Sequence, residues 1–158
     1  MLKSSELLKI FDVARTVELE LAACYDELAS RSTDEPTRAF WSGLAQEEFN
    51  HAKLLELQQR LVRHGDTKVV AKVSFDDLMA NYAAIRERIA SASDPSLTVA
   101  DVLRLCIDIE ALARLCHADT LVSAATSSVD ELFTRLSKDD AEHVARLQGQ
   151  LSSKTPRL

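Results

Sequence analysis

Gln46-Glu47-Glu48-Phe49-Asn50-His51-Ala52 sets a carboxylate, Glu48, three residues before an imidazole, His51, inside a mostly apolar stretch from Trp41 to Leu57. Side chains three apart on a helix share a face. Both groups therefore point where Trp41, Leu44, Ala52 and Leu55 point, toward a core. The same spacing returns at Asp140 and His143, among Phe133, Leu136, Val144 and Leu147. With 25 acids and four histidines in 158 residues, roughly 0.6 such pairs arise by chance on the helical i,i+3 test. Two pairs are a weak signal alone. His64 and His117 have Leu61 and Arg114 at the equivalent position and stand outside the pattern.

The wider spacing strengthens it. Glu18 precedes Glu48 by 30 residues, and Glu110 precedes Asp140 by 30. At an offset of 92, His51 falls on His143, Cys24 on Cys116, Leu44 on Leu136 and Trp41 on Phe133. This is an internal repeat of one helical hairpin. Glu18 lies among Phe11, Ala14, Leu21, Ala22 and Tyr25, and Glu110 among Leu103, Cys106, Ile107 and Ala113. Each long helix thus carries one carboxylate in the middle of its apolar stripe.

Isolated buried carboxylates cost several kcal/mol or more, and four together also repel. Cations supply the missing charge. Four carboxylates and two imidazoles suit two divalent metals at about three or four ligands each. The candidate ligands are Glu18, Glu48, His51, Glu110, Asp140 and His143. Tyr25 reads either as a hydrogen-bond donor to a ligand carboxylate or as a core tyrosine. His117, its repeat equivalent, reads as a partner of a ligand or an ordinary buried histidine, with direct ligation the less favoured reading. Glu47, Asp139 and Glu142 are expected to face solvent, and Glu20 to sit on the rim of its stripe.

Gly and Pro number three each, too few to punctuate many strands, so long helices are expected. The first runs over 4–31. Ser32 to Pro36 breaks it, with Asp34 as cap and Pro36 in the next first turn. The second runs over 36–64, ended by Gly65. Residues 66–74 hold Val69-Val70-Ala71-Lys72-Val73, β-branched but without a partner strand, and read as an extended crossover. Ser74 opens a shorter helix to about Ala90, and 91–96 form a loop. A third long helix is expected over 98–125, a break at 126–128, a fourth over 129–151 and a frayed polar tail over 152–158. The expected fold is all-α, one domain over 1–158. Two antiparallel hairpins, 4–64 and 98–151, are joined by a crossover over 65–97 holding an extra short helix. A four-helix bundle with one long crossover is the ferritin-like arrangement.

Composition excludes other classes. The chain is 46% hydrophobic and 28% charged, as an ordinary folded protein is. Net charge is −6 and no Lys/Arg cluster stands out, so nucleic acid is not an expected partner. Apolar runs are short and interrupted by charges, so no membrane span is expected. Met1 to Glu6 is not followed by an uncharged apolar core, and a cytoplasmic location is the expectation. Cys24, Cys106 and Cys116 lack a C-x-x-C pair and read as small buried hydrophobes.

At these residues the sequence resembles the rubrerythrin branch of the ferritin-like superfamily, over essentially 5–150. Glu18…Tyr25 resembles the family's first helix, Leu44 to Ala52 its second, and Leu136 to Val144 its fourth. The resemblance implies a non-heme di-iron centre reacting with peroxide or dioxygen, and a homodimer. Manganese or zinc could use the same donors. Asp140 stands where family members usually have the longer Glu. Ala113 stands where peroxidase-type members carry a further carboxylate. The paired cysteines of a rubredoxin domain are absent, so electrons are expected from a separate donor. An iron-handling ferroxidase and a non-catalytic, metal-stabilised bundle are the alternatives. Only 152–158 follow the fourth helix, so a storage cage is not expected.

Overall fold

The computed structural model describes residues 1–65, 69–120, 122–123 and 127–154. The chain is all-α: α1 (Ser4–Arg31), α2 (Glu35–Arg63), α3 (Phe75–Ala92), α4 (Val99–Thr120) and α5 (Ser127–Lys154). Side chains near the helix starts explain where they begin. The Lys3 backbone N–H donates to Glu6 Oε2 at 2.8 Å. Asp34 Oδ1 accepts the Thr37 N–H at 2.9 Å, with Pro36 in the first turn. Ser74 Oγ accepts the Asp77 N–H, and Thr98 Oγ1 accepts the Asp101 N–H, each at 3.1 Å. Only Ser32, Thr33 and Asp34 join α1 to α2, so the two pack side by side as a hairpin. α4 and α5 pack as the second hairpin, and α3 lies against α1 and α4.

Both hairpins contribute to one core. Ile10, Phe11, Leu21 and Tyr25 come from α1, Leu44 and Leu55 from α2, Leu103 and Ile109 from α4, and Phe133 and Leu147 from α5. Phe11 meets Phe133 edge-on at 5.5 Å between centroids, tying α1 to α5. All three cysteines are buried. Among the described residues no helix is long and apolar enough to cross a membrane.

Three expectations need correction. The 69–73 segment has a partner: Val69–Val70 (β1) pairs antiparallel with Val122–Ser123 (β2). α4 accordingly ends at Thr120 rather than near 125. The pairing gives β-branched residues a ladder that a local reading of helix-forming residues cannot foresee. Leu2 N–H adds a bond to Val69 O at 2.8 Å, and the Val69 side chain is fully buried. α5 also takes in Ser127 and Ser128 of the expected break and extends to Lys154, three residues past the expected 151. Residues 66–68 of the crossover, 121 and 124–125 of the expected third long helix, 126 of the expected break and 155–158 of the tail lie outside the described residues.

Candidate metal centre

Glu18 from α1, Glu48 and His51 from α2, Glu110 from α4, and Asp140 and His143 from α5 meet in the interior, each at most 4% exposed. Every one sits at the stripe position read from its helix. Glu48 is the hub. Its Oε2 lies 3.0 Å from His51 Nδ1, and its Oε1 lies 2.7 Å from His143 Nδ1. Glu18 Oε2 is 3.4 Å from the same His51 nitrogen, and Glu110 Oε1 is 3.3 Å from the same His143 nitrogen. Among the described residues, two groups could each hold an ion: Glu18, Glu48 and His51, and Glu48, Asp140 and His143. Glu48 belongs to both. Glu110 joins the second side through His143 rather than as a member of either group.

The outer nitrogens of the two imidazoles overturn one expectation. His51 Nε2 lies 3.1 Å from Asp139 Oδ2 of α5, and His143 Nε2 lies 2.6 Å from Glu47 Oε2 of α2. Glu47 and Asp139 are therefore not simply solvent-facing charges. Each reaches across the α2–α5 seam to hold the histidine of the other hairpin. Arg146 Nη1 donates to both Glu47 oxygens at 2.9 Å. A signal was present in the sequence: at the offset of 92, Glu47 falls on Asp139, acid on acid. Glu142 is exposed as expected. Glu20 is on the rim, paired with Arg86 at 2.7 Å.

Tyr25 donates its hydroxyl to Glu110 Oε1 at 2.5 Å. His117 places Nδ1 2.6 Å from Asp140 Oδ2 and Nε2 3.4 Å from Glu18 Oε1. The two residues thus occupy equivalent places in the repeat, and each touches a carboxylate of the opposite hairpin.

The electrostatics show what this arrangement lacks. Burial pushes Glu48 well above the ordinary carboxylate range, and the charges of Glu110 and Glu18 add to it. Burial likewise lifts Asp140 to about 6, against the pull of His117. Burial opposes the charged form of Glu18 too, but bonds from His51 and Glu48 and the nearby imidazoles outweigh it and hold the group at about 2. Burial also disfavours charged histidine, yet bonds from Glu18 and Glu48 raise His51 to about 11. Bonds from Glu110 and Glu48 raise His143 to about 12. Without a cation, these rings carry the positive charge of the cluster.

That charge is not enough to satisfy the polar atoms. Glu18 Oε2, Glu48 Oε1, Glu110 Oε2, Asp140 Oδ1, His117 Nε2 and His143 Nδ1 are buried and have no well-aligned hydrogen-bond partner among the described residues, the close contacts of Glu48 Oε1 with His143 Nδ1 and of Glu18 Oε2 with His51 Nδ1 included. Each buried polar atom left without such a partner costs about 1–3 kcal/mol, more where charged. All belong to one cluster of oxygen and imidazole donors, the donor set that divalent first-row metals use. Two divalent cations would neutralise four carboxylates and leave both imidazoles neutral, donating Nε2–H outward and presenting Nδ1 inward. The residues fit such ions.

The chain is thus an all-α protein with buried Glu/His groups that could hold metal ions. No protein-family model, curated protein or solved structure matches it significantly.

Proposed function

We propose that the chain is a non-heme dinuclear metal protein of ferritin-like architecture, similar to rubrerythrins, whose two iron ions react with peroxide or dioxygen. The observation that supports it is Glu48: one buried carboxylate whose two oxygens face His51 Nδ1 and His143 Nδ1 separately, as a ligand shared by two ions would. Bound iron would supply electrons to the oxidant. The protein's own groups do the rest. Asp139 and Glu47 fix the two imidazoles with Nδ1 inward. Tyr25, whose phenol burial and the Glu110 charge keep well above its ordinary value, stays protonated and holds Glu110 in place. The near-complete burial of every donor excludes bulk water from the centre. A separate electron donor, a cytoplasmic setting and a homodimer belong to the same proposal.

A bound metal that only stabilises the bundle is the second reading. The tie between Asp140 Oδ2 and His117 favours it, because it withdraws an oxygen from the centre. Anaerobic Fe(II) titration of the metal-free protein, followed by one pulse of hydrogen peroxide, separates the two. Two irons per chain and a prompt ferric absorbance are expected. Two irons without a response would leave the stabilising role, and one iron or none would overturn the dinuclear centre.

A further inference from the structure

The repeat places His117 where the first hairpin has Tyr25, and the two side chains end differently. Tyr25 has one polar atom and commits its proton to Glu110. His117 has two nitrogens. Nδ1 lies 2.6 Å from Asp140 Oδ2, close enough to donate a proton to that carboxylate. In the neutral ring with that proton on Nδ1, Nε2 is a lone pair. It is buried, makes no hydrogen bond among the described residues, and faces Glu18 Oε1 at 3.4 Å. Two acceptors facing each other in a dry interior repel unless a proton or a cation lies between them.

His51 and His143 are built the same way. Each has one nitrogen on a carboxylate, Asp139 or Glu47, and the other turned toward a glutamate of the cluster. Metal-ligating histidines are oriented in this manner, by donating the unused N–H to a carboxylate. Asp140, meanwhile, is one methylene shorter than Glu48, its repeat equivalent, and His117 occupies one of its oxygens. Only Oδ1 is left to reach an ion.

We propose that His117 is a third imidazole ligand, binding through Nε2 the ion that Glu18, Glu48 and His51 hold. It supplies the donor that a shortened, tethered Asp140 cannot extend across the pair. The two ions are then held unequally, one by two imidazoles and the other by one. This rests on the reading of the cluster as a metal centre.

The test uses Co(II) on the full chain. Metal-free protein is loaded with two equivalents, and proton NMR in water counts the exchangeable N–H resonances shifted far outside the ordinary range. Each ligating imidazole contributes one. Three are expected in the unaltered protein. His117→Tyr, which copies Tyr25, should leave two and weaken one of the two Co(II) ions by about 10-fold or more. Two resonances in the unaltered protein, with two Co(II) bound, would overturn the role of His117 alone. Failure to bind Co(II) at all would overturn the metal centre with it. The count on the unaltered chain needs no variant, so it decides the role of His117 even where a His117→Tyr chain fails to fold.

Discussion

The two hairpins carry one pattern 92 residues apart and differ where it matters chemically. In the first, Tyr25 packs near Trp41 at 5.6 Å and reaches Glu110 of the second. In the second, His117 packs near Phe133 at 5.8 Å and faces Glu18 of the first. Trp41 and Phe133 are themselves repeat equivalents. Glu48 in the first hairpin spans both imidazoles, whereas Asp140 in the second is shorter and has one oxygen on His117. The pairs Glu18/Glu110, His51/His143 and Glu47/Asp139 keep the symmetry, because they set the charge and the orientation of the imidazoles. The symmetry breaks at Tyr25/His117 and Glu48/Asp140, where the question is which carboxylate can be shared.

The largest expected effect comes from removing the shared carboxylate. Glu48→Ala should weaken both ions by more than the ~10–100-fold typical of losing an orienting partner, while Glu110→Ala should cost one ion. Metal analysis and circular dichroism on the folded variants check both. Equal stoichiometries in the two variants would break the distinction between a hub and a terminal ligand.

Smaller effects should cross between the hairpins. Asp139→Asn in α5 should loosen the ion beside His51 of α2, and Glu47→Gln in α2 the ion beside His143 of α5, each by ~10–100-fold. Calorimetric Co(II) titration of the single and double variants reads this. Unchanged affinity in both would reduce the two acids to surface charges.

The mildest effect is on pH dependence. Without metal, His51 is raised from 6.5 to about 11, so its contribution is fully present below 6.5 and is lost as pH climbs toward 11. Asp140, raised from 3.8 to about 6, holds its proton longer folded than unfolded, so stability also declines with pH across that window. Glu18 acts oppositely, contributing above 4.5 and losing that contribution as pH falls toward about 2. The melting temperature of the metal-free protein should therefore fall from mildly acidic pH into the alkaline range. Because ions displace protons from the imidazoles, the gap between loaded and metal-free protein should widen over the same range. Parallel melting curves at all pH values would contradict protons and ions competing for the same nitrogens.

Much of the fold was legible in the chain. Asp34 and Pro36 mark the start of α2, and Ser74 that of α3, because caps act within one turn of sequence. The burial of the six candidate donors was legible because a carboxylate inside a 3.6-residue apolar stripe needs no knowledge of its neighbours to be placed inside. Glu47 and Asp139 were misread for the complementary reason. Each lies one residue around the helix from its neighbour Glu48 or Asp140, and only the approach of α2 to α5 decides that it reaches an imidazole instead of water. The same holds for the end of α4, which depends on β1 more than 50 residues away.

By itself, then, the sequence determined the helices, the repeat and which acids go inside, since these follow from local periodicity and the cost of burying charge. Only the tertiary structure decided which carboxylate faces both imidazoles, which acids hold them from behind and where His117 points. Those are distances of about 3 Å between side chains up to 99 residues apart, and they arise only when the hairpins close on one another.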